Sequence, residues 1–321
     1  MKIAYLSKAR PELLGRIDPS IPHVLVAAGP DGRYSAEELA KVADVDAFLV
    51  SAEPVHEQIL AAAKKLKIVQ RLGVGYDSLD LEAAKKRGIP CCNVAGVNKE
   101  AVADHTFGMM LALAKNLKEA ERLTRAGTWA EARLVTKRSF ELKGKTLGIV
   151  GFGAIGASLA RRGHAFEMPI VYNDIRPIDP KELAPTGARF LEKPDLFRTA
   201  DIVSIHTTLN PTTRGMVDAK LIGLMKPTAL LFCAARGGIV DEAALRDALD
   251  ADRIAGAGID VFSHEPIPPD NPLLSAKNTL LTSHLAGHSM ESMKRSMTWA
   301  LENVRRVVER GERPNFIVNG V

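Results

Sequence analysis

The chain has 321 residues, 46% hydrophobic and 25% charged, an ordinary balance for a soluble protein and long enough for two domains with real cores. Its formal charge is +5 and its pI near 9.0, but Lys85-Lys86-Arg87 follows Asp80 and Glu82 and no basic stripe is interleaved with aromatics, which excludes nucleic acid as a partner. Three cysteines, Cys91, Cys92 and Cys233, without His or Cys at ligand spacing, exclude a disulfide framework and a zinc site, so no metal is expected.

In chain order, the amino-terminal apolar run is too short for a signal peptide, and no later stretch approaches the roughly 18 apolar residues of a membrane span. A cytoplasmic protein with no membrane partner is expected. Strand patterns fall at Lys2 to Leu6, His23 to Ala27, Ala47 to Val50, Lys67 to Arg71 and Pro90 to Val94. Helical patterns lie between them, the clearest at Glu57 to Leu66 and at Leu81 to Arg87, which Gly88 should stop. From Glu100 to about Arg125 the pattern predicts one long helix, suited to linking domains or packing across a partner.

A second series follows: strand Thr146 to Val150, helix Ile155 to Ala165, then strands Ile170 to Asn173, Ile202 to His206, Ala229 to Ala234, Ala255 to Asp260 and Thr279 to Ser283. A last helical pattern runs from Met290 to about Arg310, and the tail after Gly311 is expected to return to the first domain. Strands alternating with helices place the chain in the α/β class, with parallel sheets.

Gly151-Phe152-Gly153-Ala154-Ile155-Gly156 fits the pattern GxGxxG, with a strand entering and a helix leaving. In that setting glycines admit a pyrophosphate to backbone N–H groups at a helix N-terminus. Asp174 ends the next strand, 18 residues after Gly156, where a carboxylate can accept from ribose hydroxyls. That acid favours NAD over NADP, whose 2′-phosphate it would repel; Arg176, two residues on, keeps NADP open.

Ligands in open α/β sheets bind beyond the carboxyl ends of the strands, where this sequence places His206-Thr207, Arg236, Asp260 and His284. Arg236 can grip a carboxylate by a two-pronged contact, and His284 can exchange a proton near neutral pH. Glu265 can orient the imidazole and stabilise its charged form. A lone histidine at a strand end is more often structural, and His206 and His264 read that way, as a cofactor wall and an exposed side chain. A cation to polarise a keto acid and an acid to protonate the new alkoxide are together what hydride addition requires.

These residues resemble the D-isomer-specific 2-hydroxyacid dehydrogenase family over essentially the whole chain. The resemblance rests on Leu147 to Gly156, on Met225-Lys226-Pro227 running into Ala235-Arg236-Gly237-Gly238-Ile239-Val240-Asp241-Glu242, on Gly258 to Pro266, and on Thr282-Ser283-His284-Leu285-Ala286-Gly287. It implies that Arg236 binds the substrate carboxylate and carbonyl, that His284 is the acid/base and that Glu265 is its partner. It further implies that Gly151, Gly153, Ala154, Ile155, Gly156, Asp174, Thr207, Thr213, Ala234 and Asp260 bind NAD, and that the amides of Val74 and Gly75, in Arg71-Leu72-Gly73-Val74-Gly75-Tyr76-Asp77, meet the substrate carboxylate. Enzymes of this kind that act on phosphorylated acids carry a basic residue where Arg71 stands. The sequence departs from the family at Thr208, where proline is usual, at Cys233 for asparagine and at Asp104 for glutamate.

The expectation is therefore two doubly wound parallel-sheet domains: a flavodoxin-like substrate domain over 1–99 with 289–321, and a Rossmann NAD-binding domain over 100–288. The resemblance implies an NAD-dependent oxidoreductase of small D-2-hydroxy and 2-keto acids, working as a homodimer. The alternative is an NAD-sensing, non-catalytic scaffold of the same fold.

Overall fold

The computed structural model describes residues 1–7, 20–51 and 53–321. Contacts divide the chain into two compact units, Met1–Asn98 with Ser289–Val321, and Lys99–His288.

In the first unit, β1 (Ile3–Leu6), β2 (His23–Val26), β3 (Ala47–Val50), β4 (Ile68–Arg71) and β5 (Cys91–Cys92) pair in the order β2-β1-β3-β4-β5, every pair parallel. All residues of β1 and β3 are buried, because a parallel sheet covered on both faces needs unbroken apolar strands. Helices α1 (Ala36–Lys41), α2 (Glu57–Ala62) and α3 (Leu81–Lys86) connect them. Gly88 ends α3 in the left-handed conformation, φ 66°. Helix α2 stops short of the expected Leu66, since Ala63 leaves helical geometry at ψ 80° and a turn folds Leu66 into the core.

The second unit begins with α4 (Lys99–Ala114), α5 (Leu117–Arg125) and α6 (Trp129–Leu134). The single helix expected from Glu100 to Arg125 is thus two. Asn116 breaks it at φ 50°, a conformation asparagine tolerates better than most residues. Helix α4 buries seven side chains while α5 buries none, so the break separates a core helix from a surface one.

Then come β6 (Leu147–Val150), α7 (Ala154–Ala165), β7 (Ile170–Asn173), α8 (Pro180–Leu183), β8 (Arg189–Phe190), α9 (Lys193–Thr199), β9 (Ile202–Ile205), α10 (Ala219–Gly223), β10 (Leu230–Cys233), α11 (Glu242–Asp250), β11 (Gly256–Ile259) and β12 (Thr279–Leu281). The strands form one parallel sheet in the order β12-β11-β10-β9-β6-β7-β8. Its winding reverses between β6 and β9, creating a crevice at their carboxyl ends. Strand β8 was not expected: it is a two-residue edge strand, exposed at both positions and without an apolar run.

Helix α12 (Met290–Val308) belongs to the first unit. The tail behind it runs along β5: Ile317 bridges Cys92 antiparallel, Val318 N–H donates to the Cys91 carbonyl at 2.8 Å, and the Asn319 side chain accepts from Cys91 N–H at 3.0 Å.

Candidate active site

The glycine loop sits at the switch between β6 and β9. Gly151 adopts φ 94°, and a side chain there would place its Cβ 2.6 Å from the His206 carbonyl oxygen; a Cβ on Gly156 would lie 2.2 Å from the carbonyl of Gly151. Only bare backbone lets α7 start this close to the strand ends, leaving the N–H groups of its first turn, at Ala154 and Ile155, for an anion. Two buried polar atoms beside the loop, His206 Nδ1 and Thr207 Oγ1, have no protein partner. Such atoms are costly unless something satisfies them, so the residues present fit a bound dinucleotide.

Asp174 closes the loop from β7. Its Oδ2 accepts from Phe152 N–H at 2.8 Å and its Oδ1 from Arg176 N–H at 2.9 Å, with the Arg176 guanidinium 3.3 Å from both oxygens. Burial pushes this carboxyl up, but the guanidinium and the two N–H donors outweigh it and hold it below the usual carboxylate range. The Thr213 hydroxyl donates to the Thr208 carbonyl at 2.7 Å and accepts from Asn210 N–H at 2.8 Å, which ties together the turn after β9. Ala234 is buried at the end of β10.

Beyond β10, β11 and β12 the structure brings together three of the expected side chains. His284 Nδ1 lies 2.6 Å from Glu265 Oε2, and Glu265 Oε1 accepts from Phe262 N–H at 3.0 Å. Burial raises the Glu265 carboxyl; the His284 imidazole, the Phe262 N–H and the nearby Arg236 charge more than offset it and keep it ionised below the usual range. Arg236 donates through Nη1 to the Ala235 carbonyl at 2.7 Å, while the adjacent Gly237 is so close to Phe262 that a Cβ would meet its carbonyl oxygen at 1.8 Å. The two loops bearing Arg236 and Glu265 therefore share a backbone contact that no larger residue allows. His206 is half-buried, donating or accepting through Nε2 with Ser204 Oγ at 2.8 Å, and desolvation pulls its pKa down to about 4. Burial likewise pushes the Cys233 thiol up to about 11, so it stays protonated. His264 is exposed.

Asp260 is fully buried, and its carboxylate shapes the histidine turn. Oδ1 accepts from the Thr282 hydroxyl at 2.5 Å and from Leu285 N–H at 2.8 Å; Oδ2 accepts from Ala286 N–H at 2.9 Å. A hydroxyl has one proton, and this one faces Asp260, so Thr282 Oγ1 accepts from His105 Nε2 at 3.0 Å. Neither His105 nor the Thr282 hydroxyl is marked as a site group by its place in the sequence. They lie 177 positions apart, and nothing in a single sequence joins them. Asp104 pairs instead with Arg162, which also holds Glu100, in a patch where α4 packs on α7.

In the first unit, residues 72–77 follow β4 as a loop of bends and turns. Among the described residues, the N–H groups of Gly73, Val74 and Gly75 meet no protein acceptor. Arg71 donates through Nε to the Gly75 carbonyl at 2.8 Å and through Nη1 to that of Val50 at 3.1 Å.

Residues 107–286 match the family profile described as D-isomer specific 2-hydroxyacid dehydrogenase, NAD binding domain. A glyoxylate reductase of Korarchaeum cryptofilum is 41% identical over 88% of this chain and 85% of its own. A D-3-phosphoglycerate dehydrogenase of Methanocaldococcus jannaschii is 38% identical over 90% of this chain, which spans only 54% of that longer protein. Among solved structures, the NADPH-dependent glyoxylate/hydroxypyruvate reductase of Sinorhizobium meliloti, in complex with NADP and malonate, is 30% identical, with TM-score 0.83 over 99% of this chain and 96% of that one. Together with the glycine loop at the switch of a seven-stranded parallel sheet, these likenesses establish that the chain belongs to the D-isomer-specific 2-hydroxyacid dehydrogenase family, oxidoreductases of 2-hydroxy acids that use a nicotinamide dinucleotide.

Proposed function

We propose that the chain interconverts a small 2-keto acid and its D-2-hydroxy acid, with His284 as the acid/base, Arg236 as the group that binds the substrate carboxylate and carbonyl, and Glu265 as the partner of His284. The observation that carries this reading is the 2.6 Å contact of His284 Nδ1 with Glu265. Among the described residues Nε2 has no protein partner, which leaves it for the substrate oxygen. When bound, the reduced nicotinamide supplies a hydride to the keto carbon. His284 then gives its Nε2 proton to the oxygen and keeps its Nδ1 proton against the Glu265 carboxylate, which stabilises the imidazolium before transfer and orients the ring throughout. Arg236 polarises the carbonyl and holds the carboxylate, and we assign the amides of Val74 and Gly75 to carboxylate binding as well.

The cofactor we infer is NAD, held by the glycine loop (Gly151, Gly153, Ala154, Ile155, Gly156), by the ribose-facing Asp174, and by Thr207, Thr213, Ala234 and Asp260. The Asp174 carboxylate supports NAD over NADP; Arg176 at its side is the feature that favours NADP as a second cofactor. The Arg71 guanidinium grips backbone carbonyls, which supports an unphosphorylated acid such as glyoxylate or hydroxypyruvate. We further infer a homodimer, because α5 and α6 bury no side chain and leave Leu117, Trp129 and Leu134 exposed; Trp129→Glu should halve the mass measured by light scattering if this surface pairs.

The deciding experiment follows NADH oxidation with glyoxylate, hydroxypyruvate, pyruvate and 3-phosphohydroxypyruvate. Turnover that falls roughly a hundredfold or more in His284→Ala while NADH binding survives is the expected result. Tight NADH binding without turnover of any keto acid would instead identify a scaffold.

A further inference from the structure

The loop Arg71 to Tyr76 is held by its carbonyls. Gln70 Nε2 donates to the Arg71 carbonyl at 2.9 Å, Ser296 Oγ to that of Leu72, Asn93 Nδ2 to that of Val74 at 2.7 Å and Arg71 Nε to that of Gly75 at 2.8 Å. In a trans peptide the carbonyl of one residue and the N–H of the next point in opposite directions. Each pinned carbonyl therefore aims the following N–H away from its anchor. For Leu72, Val74 and Gly75 those following groups are the N–H of Gly73, Gly75 and Tyr76, and among the described residues none meets a protein acceptor. Side chains take the acceptors and leave the donors: the loop is built as a receptor for an anion.

Behind the loop lies a buried amide relay. Gln70, Asn93 and Asn303 are at most 6% exposed. Asn303, on α12, accepts Asn315 N–H through Oδ1 at 2.7 Å and donates through Nδ2 to the Asn315 carbonyl at 3.0 Å and to Gln70 Oε1 at 2.6 Å. Gln70 Nε2 donates in turn to the Asn93 carbonyl at 3.2 Å as well as to that of Arg71. Backbone groups at both ends fix the orientation of every amide, because reversing any one would set donor against donor or acceptor against acceptor. The amides of Gln70 and Asn303 have partners at nitrogen and oxygen alike, and buried networks satisfied in this way specify a single geometry and are costly to disturb. A hydrophobic core would stabilise the sheet equally well; it would not orient Val74.

We propose that Asn93, supported by Gln70 and Asn303, is a positioning residue that aims the Gly75 N–H at the substrate carboxylate and thereby sets the affinity for the keto acid. This rests on the reading of the Val74–Gly75 loop as a carboxylate receptor. Asn93 touches no reacting atom in this scheme; it acts through the Val74–Gly75 peptide.

The test measures steady-state KM and kcat for glyoxylate and hydroxypyruvate, with NADH binding followed by fluorescence in the same preparations. Asn93→Ala is expected to raise KM at least fivefold, to change kcat less than threefold and to leave the Kd for NADH at the wild-type value, since the cofactor residues belong to the other unit. A lowered Tm with a smaller rise in KM would make the relay purely structural and overturn the proposal. Asn303→Asp, which sets a carboxylate oxygen against Gln70 Oε1, reads the relay at a distance and is expected to raise KM at least threefold; a wild-type KM there also overturns it. Gly75→Pro, which deletes the N–H itself, separates the two claims. If KM is unchanged in Gly75→Pro the carboxylate reading of the loop fails, whereas a rise in Gly75→Pro without one in Asn93→Ala sinks the relay alone.

Discussion

The backbone N–H of His284 donates to the carbonyl of Asp260 at 2.7 Å, and the carboxylate of the same aspartate takes the N–H groups of the next two residues. His284 needs this support because it sits at φ 55°, a left-handed conformation that costs a non-glycine residue of order 1–3 kcal/mol and persists only where its surroundings over-determine it. Asp260 thus shapes the turn that presents the imidazole, in addition to any contact with the cofactor.

Thr282→Val tests that clamp with little change in shape. It removes the donor to Asp260 Oδ1 and the acceptor for His105, which should cost about 1–3 kcal/mol of stability and lower kcat roughly tenfold as the turn loosens. Unchanged Tm and kcat in urea melts and steady-state assays would show that the turn holds without Thr282.

Glu265→Gln should lower kcat at least tenfold and leave the Kd for NADH unchanged. Wild-type kcat in Glu265→Gln would break the assigned pairing.

His206 links stability to pH. Burial lowers its pKa from 6.5 to about 4, so between those values the unfolded chain binds a proton that the folded one refuses. Stability from this group is complete above pH 6.5 and is lost as pH falls toward 4. His206→Gln should flatten that part of the stability curve, as followed by denaturant midpoints across the range; an equally steep curve in the variant would assign the slope to other groups.

Asp174→Ala should weaken NADH binding about tenfold or more, the scale of losing a charged hydrogen-bond acceptor, and should free the Arg176 guanidinium now paired with it. NADPH binding should improve in the same variant. Equal loss for both cofactors in fluorescence titrations would place Asp174 in support of the loop through Phe152 alone.

Much of this molecule is legible from local pattern. Apolar strands such as Ala47–Val50 and Leu147–Val150 announce themselves because a doubly covered parallel sheet buries every side chain, and the glycine at 156 is required by the nearby Gly151 carbonyl, whereas Gly151 itself is required by His206, far away in the chain. His284, Glu265 and Arg236 could be singled out because each follows a strand, and the carboxyl ends of strands in such sheets are where ligands bind. The break at Asn116 and the edge strand Arg189–Phe190 were not legible: helical periodicity continues through the first, and the second has no apolar run to reveal it.

By itself the sequence determined the class of fold, the dinucleotide loop and the chemical types available at the strand ends, because these depend on short-range pattern and on strand order. Only the tertiary structure decided how those groups are held: that the Asp260 carboxylate clamps the histidine turn with the help of Thr282 and His105, and that Asn303 reaches Gln70 across 233 positions to support the loop at Val74. Hydrogen bonds between side chains so distant in sequence leave no periodic trace, since each partner alone is an ordinary polar residue until folding brings its acceptor within 3 Å.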